Sequence, residues 1–256
     1  FYKKYFNVEV NPDNEVLPLM GSKEGIMHVS LAFLNPGDEV LIPNPGYPTY
    51  LAVTKLVEAK PRFYNLSQEN NWFPDVEALE KSDLSKVRIM WVNYPHMPTG
   101  ASVSITQFEQ LINFAKKNNI LIINDNPYSF ILNDNHTSLL SVDNSKEVAM
   151  ELNSLSKSFN MSGWRVGMLL GSSENISRVL KVKSNMDSGM FFGVQQGAIA
   201  ALQAEGSWFE SLNAIYRKRR KLVEKLATKL GAEFDPESVG LFVWAKLPKG
   251  AGDAEV

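Results

Sequence analysis

The stretch SLSKSFNMSGWRVG, residues 154–167, sets a lysine inside a run of serines and an arginine eight residues further on. It lies between two apolar runs of strand length, VAMELNS (148–154) and VGMLLGS (166–172). Lys157 therefore falls just past the carboxyl end of a strand, the place where open α/β sheets bind ligands. An amine held there, partly desolvated and near a second cation such as Arg165, would have a lowered pKa and could attack a carbonyl to form a Schiff base. Arg165 and the hydroxyls of Ser154 and Ser156 could hold a phosphate group. Taken alone, the segment fits a polar surface loop better, so its neighbours must decide.

Outward from this stretch, short apolar runs alternate with amphipathic ones. The strand candidates are EVLIP (39–43), PRFYNL (61–66), VRIMWVN (87–93), ILIIND (120–125) and the two runs above. Helical patterns cover 22–34, 47–57, 104–119 and 174–186. Several strands are apolar almost without interruption, as expected when helices cover both faces of a sheet. The pattern predicts an α/β fold, a three-layer sandwich around a mostly parallel sheet. After residue 190 the texture changes to two helices, 192–205 and 208–230, and the basic run YRKRRK in the second reads as a wet face. The segment GLFVWAKLP (240–248) reads as a strand opening a smaller α+β unit. The expected organisation is a linker at 1–12, a large domain over 13–206, and a connecting helix with an incomplete small domain over 207–256. Both ends look abrupt, as in part of a longer protein.

Composition removes several function classes. Of 256 residues, 26 are Lys or Arg and 28 are Asp or Glu, so there is no basic excess to bind nucleic acid. The absence of cysteine excludes disulfides and thiolate chemistry, and the three scattered histidines show no metal-ligand spacing. No signal peptide and no run of about 20 apolar residues are present, so no membrane partner is expected and a cytoplasmic location is.

Four further segments carry candidate residues. PLMGSKEGI (17–25) is a Gly21-Ser22-Lys23 turn opening a helix, which fits a phosphate site or an ordinary N-cap. In IINDNPYSF (122–130), Asp125 ends a strand and Tyr128 follows; the carboxylate could cap a turn or pair with a protonated ring nitrogen. Tyr47 in IPNPGYPTY (42–50) could stack on a flat ring or pack beneath a proline turn. WVNYPHMPTG (91–100) is a proline-rich bend after a strand.

Each segment is ordinary alone, but their order is not. G-S-K, N-P-G-Y-P, P-T-G, D-x-x-Y and S-x-S-K with its arginine together resemble the fold type I pyridoxal-phosphate enzymes, specifically the class I/II aminotransferases. In texture the chain is similar to the group that includes LL-diaminopimelate aminotransferase and aspartate- or alanine-type enzymes. The resemblance covers roughly residues 13–248. It implies an aminotransferase that uses pyridoxal 5'-phosphate, acts on an amino acid and a 2-oxo acid, and works as a homodimer. Lys157 would form the Schiff base, Asp125 would keep the pyridine nitrogen protonated, and Tyr128 would bond the phenolic oxygen. Tyr47 would stack on the ring, while Gly21, Ser22, Lys23, Ser154, Ser156 and Arg165 would cradle the phosphate. The same cofactor also serves β-lyase-like reactions and non-catalytic regulatory domains, which share the lysine.

Two departures stand out. The family's turn is usually Asn-Pro-Thr-Gly, and Met97 occupies the asparagine's place. A thioether cannot donate a hydrogen bond, so the imine's pKa should rise unless Asn93 or His96 compensates. The resemblance also implies a carboxylate-gripping arginine beyond Val256 and a partner's tyrosine from before Phe1. In dicarboxylate-specific members of the family that the chain resembles, a partner's arginine can come from the segment matching SNMDSGMFFGVQQG (184–197); none stands there here, and the resemblance thus points away from a strict aspartate site.

Overall fold

The computed structural model describes residues 1–250. In chain order the elements are α1 (Tyr2–Phe6), β1 (Val16–Leu19), α2 (Ser22–Phe33), β2 (Glu39–Asn44), α3 (Pro48–Leu56), β3 (Lys60–Asn65), α4 (Val76–Glu80), β4 (Val87–Val92) and α5 (Ile105–Asn118). They continue with β5 (Leu121–Asn126), β6 (Ala149–Ser154), α6 (Leu155–Ser158), β7 (Gly167–Leu170), α7 (Ser173–Lys183), α8 (Phe192–Leu202), α9 (Gly206–Lys229), β8 (Glu233–Phe234) and β9 (Ala245–Lys246).

Seven strands form one sheet in the order β1-β7-β6-β5-β4-β2-β3. β3, β2, β4, β5 and β6 are parallel, whereas β7 runs against both β6 and β1. The near-continuous apolar runs are explained by the two cores they feed. Leu41, Met90, Val92 and Ile122 face one core with α1, α5 and α8. Val40, Ile42, Ile89, Trp91 and Ile123 face the other with α2, α3 and α7. Alternate side chains thus enter opposite layers, and the sheet has no wet face to mark with polar residues. The mixed α/β class and the mostly parallel sheet are as the sequence predicts.

Four differences have physical causes. β1 escapes the apolar-run criterion because it is four residues long and contains Pro18; on an edge strand that proline removes no ladder bond the sheet requires. Residues 1–12 are not a bare linker. They include α1, whose Tyr2 and Phe6 are buried, and Tyr2 donates from its hydroxyl to Glu151 Oε1 at 2.8 Å. GLFVWAKLP does not form a full strand: only Ala245–Lys246 pair, with Glu233–Phe234, because residues 238–242 are tied to other partners. In the basic run of α9, Arg217, Lys218, Arg219 and Lys221 are exposed, but Arg220 is half-buried with its guanidinium on backbone carbonyls.

Glu151 is fully buried on β6 and saturated with donors. Tyr2, Ser138 and Asn126 donate to Oε1, and Asn124 and the Leu139 amide to Oε2. Asn124 and Asn126 bracket Asp125, so this network fixes β5 against β6 on either side of that residue.

Candidate active site

Strand direction gathers the candidate residues. β2, β4, β5 and β6 are parallel, so the residues after each, Tyr47, Met97, Tyr128 and Lys157, emerge at one edge of the sheet. β1 runs the same way and delivers Gly21 to Lys23 there; β7 runs oppositely, so Arg165, just before it, lies at the same edge. A cavity of about 560 Å³ opens at that edge. Nine of the ten candidates line it: Ser22, Lys23, Tyr47, Asp125, Tyr128, Ser154, Ser156, Lys157 and Arg165. The tenth, Gly21, lies directly behind Arg165. A larger surface groove of about 730 Å³, beside α4 and α5, holds none of them.

The lysine segment is constrained because it is a single helical turn. Ser154 ends β6 and caps α6, its hydroxyl accepting from the Ser156 amide at 3.2 Å. Leu155 is buried beneath the turn and donates from its amide to Val166 O at 3.1 Å, which leaves Lys157 on the cavity side. The chain then returns through Asn160 and Arg165, both with left-handed backbone. Arg165 Nη1 donates to Ser162 O at 2.9 Å.

Gly21 has φ 87° as the N-cap of α2, and a β carbon there would overlap the Arg165 guanidinium. Glycine therefore meets two demands, a positive φ and the approach of a cation to the helix start. The free N–H groups of a 12-residue helix, three serine hydroxyls and Arg165 form a set of donors suited to an anion.

Asp125 is the electrostatic centre of the cavity. It is 5% exposed, and burial pushes its pKa up to about 6, against the pull of a hydrogen bond from Tyr50. Tyr50 Oη donates to Oδ2 at 3.0 Å, while the buried Oδ1 has no partner. Burial, reinforced by Asp125 and Tyr47, raises the pKa of Tyr128, which therefore remains a phenol able to donate at neutral pH. Tyr47 presents its ring edge to Tyr50 at 5.7 Å, with Lys23 Nζ 5.6 Å above its face.

Tyr50 was not legible in the sequence. It sits three residues after Tyr47 on the first turn of α3, fully buried and stacked on Trp91 at 5.1 Å. Its only signal is being the second tyrosine of NPGYPTY. Asn93 and Met97 both line the cavity. Asn93 Oδ1 accepts from the Met97 amide at 2.8 Å and its Nδ2 donates to Asp125 O, so it ties the proline-rich turn to the aspartate strand. His96 is outside the cavity lining. Its Nδ1 lies 2.8 Å from Thr99 Oγ1, and burial lowers its pKa to about 4, with the Pro45 carbonyl pulling the other way. Ser162, Pro48, Pro127 and Phe242 complete the lining.

These groups fit pyridoxal phosphate: an amine for its aldehyde, an unmatched buried carboxylate oxygen for its ring nitrogen, a phenol for its oxygen, and an anion cradle. One group of metal-ligating type exists among the described residues, Glu24, His28 and Asp187. Lys183 Nζ lies against Asp187 and 3.5 Å from Glu24, so a cation already occupies it.

Comparison with known proteins agrees with the geometry. The model of the family "Aminotransferase class I and II" matches residues 1–254. The LL-diaminopimelate aminotransferase of Dehalococcoides mccartyi is 43% identical over 253 residues, 98% of this chain and 65% of that protein. The apo structure of BacF from Bacillus subtilis superposes with a TM-score of 0.93 at 37% identity, over 97% of this chain and 64% of that one. A probable N-succinyldiaminopimelate aminotransferase from Thermus thermophilus superposes at 0.91 and 30%, over 97% and 67%. The chain thus spans just under two thirds of the curated relative's length. Matched over residues 1–254 by the family model and 43% identical to a curated member, this chain belongs to the class I and II aminotransferase family.

Proposed function

We propose that the protein is a pyridoxal-phosphate-dependent aminotransferase moving an amino group between an amino acid and a 2-oxo acid. The observation that carries the reading is the convergence on one cavity of Lys157, the half-satisfied Asp125 and the serine–arginine anion cradle. When bound, the cofactor supplies an electron sink for negative charge on the substrate's α-carbon. With the cofactor held there, Lys157 Nζ would be the amine that its aldehyde meets and the base placed to take a proton from that carbon. Asp125, with Oδ1 unmatched, would hold the ring nitrogen in its protonated form, and that cation would favour the ionised carboxylate that burial opposes. Tyr128 donates to the phenolic oxygen, and Tyr47 supports the ring face. Ser22, Lys23, Ser154, Ser156 and Arg165 hold the phosphate beside Gly21.

The amino donor to test first is LL-diaminopimelate, the substrate in the name of relatives 43% and 40% identical to the chain. Residues 13–206 form the cofactor domain in this reading, and 207–256 belong to a connecting helix and a second unit. A homodimer is supported by Phe191 and Phe192, which are 79% and 69% exposed in the single chain. A cytoplasmic location agrees with the cysteine-free sequence, and no helix among the described residues is long and apolar enough to cross a membrane.

Borohydride treatment of the cofactor-loaded protein tests the assignment. It should fix the cofactor irreversibly on the peptide containing Lys157. Labelling elsewhere, or none, removes the proposal. Glutamate formed from 2-oxoglutarate and the amino donor reads transfer, whereas release of ammonia would reassign the protein to a lyase reaction.

A further inference from the structure

Arg220 departs from its surroundings. Within YRKRRK the other basic side chains are exposed, while its guanidinium turns to segment 238–242, which contains no helix or strand. Its Nη1 donates to Ser238 O and lies 3.4 Å from Ser238 Oγ; Nη2 donates to Gly240 O at 3.3 Å and Phe242 O at 3.1 Å. Three carbonyls at alternate residues thus meet one planar fork, a match a lysine ammonium cannot reproduce.

The same segment is bonded to the two turns that carry the ring-side residues of the cavity. The Val239 amide donates to Gly100 O at 2.8 Å, at the end of the turn holding Met97, and the Gly240 amide to Ile131 O at 2.9 Å, just past Tyr128. Gly100 has φ 75°, and a β carbon there would lie 2.7 Å from Val239 O. The strap fits so closely against that turn that only glycine serves. It ends at Phe242, whose ring meets Tyr128 edge-on at 5.9 Å and lines the cavity.

We propose that Arg220 is a positioning residue: it locks 238–242 as a strap so that Phe242 stands as an apolar wall of the cavity beside Tyr128, shaping the space left for the substrate's side chain. This rests on the aminotransferase reading. Arg220 itself does not line the cavity and acts through Phe242.

The test is a double-mutant cycle of Arg220→Met and Phe242→Ala in the intact natural protein loaded with pyridoxal phosphate. Three quantities are read: amide hydrogen exchange over 238–242, the cofactor dissociation constant from visible absorbance, and the half-saturating concentration of the amino donor named above. Arg220→Met should speed exchange over the strap and raise half-saturation about 10-fold, leaving cofactor affinity within about threefold. In the Phe242→Ala background the same change should add less than about twofold, because its effect passes through the ring. Equal effects in both backgrounds, or unchanged strap exchange, overturn the proposal. Should Arg220→Met fail to fold, Arg220→Lys keeps the charge and stem but not the fork. It should reproduce the strap exchange and half-saturation changes, and wild-type behaviour from it also overturns the proposal. Failure of the cofactor to bind even the wild type removes the aminotransferase reading and the wall's assigned role with it. Normal loading with an additive cycle removes only the strap.

Discussion

Asp125 and Glu151 stand on neighbouring strands of one sheet, both withdrawn from water, with opposite surroundings. Five donors from three parts of the chain converge on Glu151. Asp125 accepts one hydrogen bond, from Tyr50, and its Oδ1 accepts none. Burial raises the pKa of both. For Glu151 an array of donors opposes that rise, for Asp125 a single phenol. A buried acceptor left unmatched costs free energy, and a fold retains that cost where something outside the chain meets it. The saturated carboxylate is architecture. The unsatisfied one is a prepared socket, held true by Asn124 and Asn126, which flank it and reach the saturated one.

The comparison can be broken by substitution. Asp125→Ala should lower the proposed transamination rate about a thousand-fold, the scale on which a single charge-stabilising group acts at a reacting centre, roughly 4 kcal/mol. Retained activity would make the socket an accident. Glu151→Ala should instead act on folding. It strands five donors, and the urea midpoint should fall by the equivalent of about 3–4 kcal/mol. A smaller loss than that from Tyr2→Phe would overturn its architectural role.

In the cofactor-free protein Asp125→Asn should be stabilising, and the gain should depend on pH. The folded pKa is raised to about 6 from the ordinary 3.8, so folding disfavours ionisation. The wild type therefore carries no penalty below about pH 4, a growing one between pH 4 and 6, and the full one, about 3 kcal/mol, above that. The variant's advantage in thermal melts should follow that curve, and a flat difference would mean that Asp125 is not desolvated. Tyr2→Phe removes one of five donors to Glu151 and should cost about 1–2 kcal/mol with cofactor affinity unchanged. Met97→Asn is the mildest change. A donor restored to the turn should lower the pKa of the visible absorbance band of the loaded protein by about half a unit. An unchanged titration would mean that position 97 does not reach the phenolic oxygen.

How much of this was legible follows from where each signal lies in the chain. The strands announced themselves because two apolar layers leave them no polar face, and order and spacing brought the nine cavity-lining candidates to one edge. The residues missed are those whose meaning is closed by distant partners. Tyr50 is 75 positions from Asp125, and Arg220 reaches 18 to 22 residues ahead into a segment with no periodicity; Asn93 was named only as a stand-in for the missing asparagine, and its bond to Asp125 O, 32 positions on, was not foreseen. Periodicity reports which face is buried, not which buried groups bond. α1 failed for a simpler reason: five residues are too few to display a helical repeat.

The bond from Tyr2 to Glu151 joins positions 149 apart. During synthesis the aromatic cluster of Phe1, Tyr2, Tyr5 and Phe6 must wait for Phe130, against which Phe1, Tyr5 and Phe6 pack, and Tyr2 must wait longer, for Glu151 on β6. Through that interval it is a sticky stretch on a nascent polypeptide, of the kind chaperones shield. Closure of so long a loop is a late event in folding. Residues translated long before β6 are therefore among the last to settle, and a ribosome stalled short of that strand would hold a chain whose Tyr2 hydroxyl has no Glu151 to meet.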